Sequence, residues 1–223
     1  MLTIKVVFQL LQNTLLTIRN KCDFRSIPSE WSQGTQGQVL FIQGFNGNIH
    51  SFFTLAQLAN QLGYQIHFCQ KLGRNTMPIS QAADIVKKFI LTHSSNKLVI
   101  IGHSKGGLIA RMLTIDPDLI NKIKCIITIA SPHNGTMMGW LVPSGWELTK
   151  TNGIIKQLAD EDNHKVPIYN LYPKLDNMVI PNQNLYLKGA INHQIEVVGH
   201  TQILESTQTQ TVIDEILSKY ATK

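Results

Sequence analysis

Ser104 stands at the centre of Gly102-His103-Ser104-Lys105-Gly106, a G-x-S-x-G pentapeptide followed by Gly107. A serine flanked this way can act as a nucleophile if a tight strand-to-helix turn lifts its hydroxyl clear of the backbone. Gly102 and Gly106 remove the Cβ atoms that would collide where strand and helix nearly touch. A β-branched run, Lys97–Ile101, leads in, and an apolar-periodic helix, Gly106–Ile115, leads out. The competing readings are a plain glycine-rich turn or a phosphate loop, but neither P-loop nor dinucleotide spacing is present. The chemistry predicted is attack of Ser104 on a carboxylic ester, with an acyl-enzyme intermediate.

Such a serine needs a base, and the base needs an orienting carboxylate. Of eight histidines, His200 follows the apolar run Val197-Val198-Gly199 and precedes the last helix, which places it at the carboxyl end of a strand. His103 belongs to the turn itself, with its side chain expected to point away from that of Ser104. His50, His67, His93, His164 and His193 flank elements and read as surface or capping residues. Between Ser104 and His200, Asp176 follows a strand in Leu171–Pro181, whereas Asp160, Glu161 and Asp162 form a cluster expected to be solvated. Asp176 is therefore the expected acid and His200 the expected base.

Acyl transfer also needs donors for the developing oxyanion. One is the backbone N–H of Lys105, the residue after the serine. The other is expected from Gln43-Gly44-Phe45-Asn46-Gly47-Asn48, with Phe45 as donor. Met137, Trp140 and Trp146 lie in an apolar segment within residues 137–165 and are the expected contacts to an acyl chain. The alternative is that this segment simply covers the core.

The elements that must position these groups alternate. Strands are predicted at Gln38–Gln43, Tyr64–Cys69, Lys97–Ile101, Lys124–Ala130, Val166–Leu171 and Gln194–Val198. Helices are predicted at His50–Leu62, Ser80–His93 with Ser80 as N-cap, Gly106–Ile115 and Gln202–Tyr220. Alternation of this kind means βαβ units and a mostly parallel sheet covered on both faces, with ligands gathering at the strands' carboxyl ends. The near-continuous apolar runs suit strands buried on both sides.

Residues 1–37 are expected to form an amphipathic helix and a linker ahead of the domain at 38–223. Ile4, Val7, Phe8, Leu11, Leu15 and Ile18 recur at helical spacing, flanked by Lys5, Arg19 and Lys21. Packing on the domain and lying on a membrane surface are the two readings. Gln9, Gln12 and Asn13 interrupt the run and no small-residue cleavage site follows, so it makes a poor secretory signal. The net charge of +6 is spread along the chain without aromatic interleaving, which argues against nucleic acid. Three scattered cysteines form neither a disulfide framework nor a metal cluster, and fit a reducing compartment. No metal or organic cofactor is implied. A cytoplasmic protein with peripheral membrane contact is expected, with secretion as the other reading.

Together, QGFNGN after the early strand, the GHSKGG turn, SPHNGT at Ser131–Thr136, the LDNMVIP loop and VVGHTQIL resemble an α/β-hydrolase lipase. The small bacterial lipases and the inositol-deacylase-like lipases are the most similar groups, over roughly residues 38–217. The resemblance implies the α/β-hydrolase fold with a minimal cap. It implies Ser104, Asp176 and His200 as triad, and Phe45 and Lys105 as oxyanion donors. It gives His133 no catalytic role. Gln43 stands where the family usually has histidine. An acyltransferase with the same triad and a catalytically silent hydrolase-fold binding protein are the alternatives.

Overall fold

The structure is a computed structural model describing residues 4–94, 97–142, 144–160 and 165–222. Six strands, β1 (Gly37–Ile42), β2 (Tyr64–Phe68), β3 (Leu98–His103), β4 (Ile123–Ile129), β5 (Ile168–Leu175) and β6 (Ile191–Val198), form one sheet. Its order is β2-β1-β3-β4-β5-β6 and every pair is parallel. The helices are α1 (Ile4–Lys21), α2 (Phe53–Gln61), α3 (Ile79–His93), α4 (Lys105–Leu113), α5 (Gly153–Asp160) and α6 (Thr207–Tyr220).

Side chains alternate across the central strands, so each strand feeds two cores. Val39, Phe41, Val99, Ile101 and Ile127 pack against α2 and α6 through Leu55, Ala59, Ile213 and Leu217. Leu40, Ile42, Ile100 and Ile126 pack on the other face against α3, α4 and α5 through Val86, Ile90, Leu108, Ile109 and Leu158. Cys69 and Cys125 are buried among these residues, and Cys22 is exposed. The strand order reverses between β1 and β3, where the chain departs to β2 on one side and continues to β4 on the other. In open parallel sheets that reversal leaves a crevice at the carboxyl ends of the strands.

Several local features differ from expectation. β5 runs on to Leu175, past Pro173, because beyond Leu171 it pairs only with β6 and the missing N–H of proline interrupts no second ladder. Ser80 is not the N-cap of α3: the helix begins at Ile79 after Pro78, with no side-chain cap. The Ile79 N–H instead reaches the distant Glu147, whose two carboxylate oxygens accept at 3.1 and 3.1 Å. A carboxylate at a helix N-terminus also meets the favourable end of the dipole. Within residues 137–165, read as a lid-like segment, lies α5, held down by Ile155 and Leu158.

Helix α1 forms as its periodicity suggests, but it does not bury its apolar face on the domain. Ile4, Phe8, Leu11, Leu15 and Ile18 are exposed, while Asn13, Leu16 and Asn20 are buried. The contact side of this helix mixes Leu16 with buried Asn13 and Asn20.

The crossing of α4 over the sheet depends on glycine. A Cβ on Gly106 would lie 2.0 Å from the Ile42 carbonyl oxygen, a backbone atom that cannot swing aside. Gly153, at the start of α5, has nothing within 4 Å of such a Cβ. Gly106→Ala is therefore expected to destabilise the protein by about 3 kcal/mol or more, at the upper end of overpacking costs. Gly153→Ala should stay within about 0.5 kcal/mol of wild type. Urea unfolding of both variants checks the contrast, which fails if they shift alike.

Candidate active site

Ser104 joins β3 to α4 with φ 54° and ψ −123°, a conformation that non-glycine residues rarely adopt. The surroundings over-determine it. The Ser104 N–H donates to the Ile129 carbonyl at 2.8 Å, continuing the pairing with β4, and its own carbonyl accepts from the Gly107 N–H at 3.0 Å. A Cβ on Gly102 would lie 2.5 Å from the Gly106 carbonyl oxygen, and one on Gly107 would lie 2.0 Å from Ser131 Oγ. The three glycines thus let β3, α4 and the turn after β4 close on one another, and the serine side chain faces a cavity of about 340 Å³.

Asp176 immediately follows β5, and His200 comes two residues after β6. His200 Nδ1 and Asp176 Oδ2 lie 2.8 Å apart, with the carboxylate almost wholly buried. Asp176 Oδ1 accepts from the backbone N–H groups of Met178 at 2.7 Å and Val179 at 2.9 Å. Burial alone would raise this carboxyl's pKa. The neighbouring His200, its hydrogen bond and the two backbone donors outweigh burial and hold it below the usual carboxylate range. The Asp176 loop is braced by Asn182, which accepts from the Asp176 N–H at 2.9 Å and donates to the Asp176 and Val179 carbonyls.

The backbone of His200 is held from both sides. Its N–H donates to Asn177 Oδ1 at 3.0 Å. Its carbonyl lies 3.0 Å from His103 Nε2. A carbonyl can only accept, so His103 carries its proton on Nε2. Expected to point away from the serine side chain, His103 turns onto the His200 loop, with ring centroids 4.8 Å apart. Burial, and then repulsion from His200, lower the His103 pKa from 6.5 to about 3.

The loop after β1 lies directly on the serine: a Cβ on Gly44 would stand 3.0 Å from Ser104 Cβ. Phe45 follows and lines the cavity. Lys105 is the first residue of α4, where backbone N–H groups have no intrahelical acceptor. Its side chain was not anticipated: it is buried, with Nζ 3.6 Å from Glu147 Oε2 and donating to the Asn75 and Met77 carbonyls. Burial pushes this ammonium's pKa down, opposed by Glu147. Gln43 ties the same region together. Its Nε2 donates to the Gly73 carbonyl at 2.8 Å, and its carbonyl accepts from Asn75 Nδ2 at 2.6 Å.

The structure corrects three expected substrate contacts. Met137, Trp140 and Trp146 are exposed and do not line the cavity; Met138, Gly139, Val142 and Leu148 do. The segment folds as two turns of 3-10 helix, Met137–Leu141 and Gly145–Leu148. They press together so closely that a Cβ on Gly139 would stand 2.5 Å from the Gly145 carbonyl oxygen. His133 is buried elsewhere, with Nε2 3.1 Å from Asn170 Oδ1 and Nδ1 3.4 Å from Arg111. Of the acidic cluster, Glu161 and Asp162 lie outside the described residues, as do the Asp160 side chain and His164.

The opposite wall of the cavity was not anticipated either. It is formed by α1 through Asn13, Thr14, Thr17, Ile18, Asn20 and Lys21. Nothing in the pattern of a terminal amphipathic helix marks it as part of a site 90 residues upstream of the serine in sequence. The one signal is the set of polar interruptions at Gln9, Gln12 and Asn13, and nothing in it singles out Asn13.

A parallel sheet with helices on both faces and a serine on a strained strand-to-helix turn defines an α/β-hydrolase fold. Residues 81–180 match the PGAP1-like alpha/beta domain. A GPI inositol-deacylase of Debaryomyces hansenii is 26% identical over 129 residues, covering 49% of this chain and 12% of its own length. The chain thus spans about one-eighth of the curated relative it matches. A Bacillus licheniformis lipase in mature form superimposes with a TM-score of 0.64 at 19% identity, covering 87% of this chain and 96% of the lipase. Aspergillus fumigatus lipase B gives 0.76 at 18% identity, covering 86% and 55% of the two chains. A monoacylglycerol lipase of Paleococcus ferrophilus gives 0.65 at 15% identity, covering 85% and 96%.

The buried His103 predicts an acid sensitivity. Its folded pKa lies below its unfolded value of 6.5, so between about 3 and 6.5 the unfolded chain binds the extra proton. The stability that neutral His103 contributes is complete above pH 6.5 and is lost as pH falls toward 3. The slope attributable to one proton is about 1.4 kcal/mol per pH unit. His103→Asn should flatten the fall in urea-derived stability between pH 6 and 4 by up to this amount. An unchanged slope would assign the acid sensitivity to other groups.

Proposed function

We propose that this chain is a serine hydrolase of carboxylic esters acting on acyl-lipid substrates, with Ser104, His200 and Asp176 as its catalytic triad. One observation carries the reading: Ser104, on its strained turn, and His200, paired with a buried carboxylate, face the same cavity. Similarity to proteins named lipase and GPI inositol-deacylase supports the ester class.

In this mechanism Ser104 Oγ attacks the ester carbonyl as His200 Nε2 takes its proton. Asp176 holds the Nδ1–H tautomer and stabilises the imidazolium. The tetrahedral oxyanion is held by the backbone N–H groups of Phe45 and Lys105. His200 then gives its proton to the leaving alcohol, and the acyl-enzyme is released by a water that His200 deprotonates. The apolar side of the cavity, with Phe45, Met138, Val142, Leu148, Met178 and Val179, suits the acyl chain.

A lipid surface is the proposed source of substrate. The outward residues Phe8, Leu11 and Leu15 of α1, with Trp140, Leu141 and Trp146, form exposed apolar surface on the two elements that wall the cavity. Residues 1–22 include Lys5, Arg19 and Lys21 and no acid, which favours anionic lipid. No helix among the described residues is long and apolar enough to cross a membrane.

Ser104→Ala should abolish p-nitrophenyl ester hydrolysis and fluorophosphonate labelling while leaving thermal unfolding unchanged; loss of a triad nucleophile costs about 10⁶ in rate. Asp176→Asn should lower kcat by about 10⁴ through the wrong histidine tautomer. Near-native turnover by either purified variant overturns the mechanism. Separately, Phe8→Ser/Leu11→Ser/Leu15→Ser should cut sedimentation with phosphatidylserine-containing vesicles at least tenfold, with hydrolysis of a soluble short-chain ester retained. Vesicle binding equal to wild type would remove α1 from the membrane account.

A further inference from the structure

Asn13 is a polar residue buried beneath a helix whose exposed residues are largely apolar, and its side chain bonds the loop that carries His200 and the Asp176 loop beside it. Its Oδ1 accepts from the backbone N–H groups of Thr201 at 2.8 Å and Gln202 at 3.0 Å. Its Nδ2 donates to Asn177 Oδ1 at 3.4 Å, the same oxygen that accepts the His200 N–H. One helical turn on, the hydroxyls of Thr17 and Thr201 are hydrogen-bonded, with Oγ1 atoms 3.0 Å apart. Gly199, at φ 118°, lies so close beneath Asn13 that a Cβ there would meet its Oδ1 at 2.6 Å.

We propose that Asn13 is a positioning residue for His200, and that α1 is thereby part of the catalytic apparatus. The proposal rests on the triad reading above. Residues 199–202 turn from β6 toward α6 through a glycine at positive φ. Two consecutive N–H groups on such a turn have no strand or helix partner of their own, and a single amide oxygen supplies both. A leucine at position 13 fills similar volume but leaves both donors without an acceptor and Asn177 without its brace. The His200 backbone is then free to shift. A displacement near 1 Å at a reacting group can cost about 10²-fold in rate.

The test uses the full chain, a soluble p-nitrophenyl ester below its aggregation limit, and fluorophosphonate titration to count competent serines. Asn13→Leu should lower kcat per titrated serine by about 10- to 100-fold with KM within about threefold. Amide hydrogen exchange at Thr201 and Gln202 should accelerate. Asn13→Asp keeps an oxygen acceptor, so it should restore protection at both amides and most of kcat. Its new carboxylate should shift the acidic limb of the kcat/KM profile to higher pH. Wild-type kcat per titrated serine in Asn13→Leu, or unchanged exchange at Thr201 and Gln202, overturns the proposal. So does an Asn13→Asp protein as slow as Asn13→Leu with no shift in its pH profile, which would mark Asn13 as packing alone. The two readings fail differently. If Ser104 is not the nucleophile, Ser104→Ala stays active. If only the Asn13 assignment is wrong, Ser104→Ala is inactive and Asn13→Leu is not slowed.

Discussion

The approach of α4 to the backbone of β1 and β3 is the constraint on which the rest of the site depends. Gly106 lies against the Ile42 carbonyl and Gly102 against Gly106, at distances that leave no room for a side chain. Only this approach allows Ser104 to sit at the end of β3 in a conformation that sterics otherwise disfavour. It also brings the loop after β1 onto the serine through Gly44. The strain is local, and it is held by hydrogen bonds from Ser104 and Gly107 into the sheet and turn.

Around that fixed point, the histidine is carried by polar side chains rather than by regular structure. Asn177 accepts the backbone N–H of His200, His103 donates to its carbonyl, and Asp176 takes its ring. These partners come from β3 and from the loop after β5, so the loop after β6 is defined by neighbours distant in sequence. Behind the serine, the buried Lys105–Glu147 pair binds the elbow to the segment covering the cavity, and Glu147 also takes the first N–H of α3. Removing one partner of such a pair strands a buried charge, which costs more than the pair itself contributes.

Helix α1 reverses the usual relation of an amphipathic helix to its domain. Burial of apolar surface would ordinarily drive the Ile4, Phe8, Leu11, Leu15 face inward. Instead Asn13, Thr17 and Asn20 face the cavity, where Asn13 accepts the N–H groups of Thr201 and Gln202 at the carboxyl edge of the sheet. The outward apolar face is exposed, as are Trp140 and Trp146 on the segment that forms another wall of the cavity. A helix arranged this way can meet a lipid surface with one side and the histidine loop with the other.

The parallel sheet was legible in the sequence because buried strands declare themselves as continuous β-branched runs, and alternation with helices dictates βαβ order. Ser104 was legible because its backbone demands glycines at fixed offsets. Asp176 and His200 were legible as candidates because the carboxyl ends of parallel strands converge on one edge, and the structure pairs them. What the sequence could not carry was orientation and long-range polar pairing. A 3.6-residue period shows that α1 has two faces but not which one meets the protein, since that depends on the chemistry of the opposing surface. The same limit hid which residues of the 137–148 segment line the cavity, Met138 and Val142 rather than the exposed Trp140 and Trp146. Asn13, Asn177, His103 and Glu147 act through hydrogen bonds to backbone far away along the chain, and such bonds leave no period and no spacing to read. The sequence by itself determined the sheet, the serine turn and the order of the candidate groups along it, because these are local consequences of backbone sterics and hydrophobic patterning. Only the tertiary structure decided how the histidine is held and which faces of α1 and the 137–148 segment enclose the cavity, because those are settled by contacts between elements.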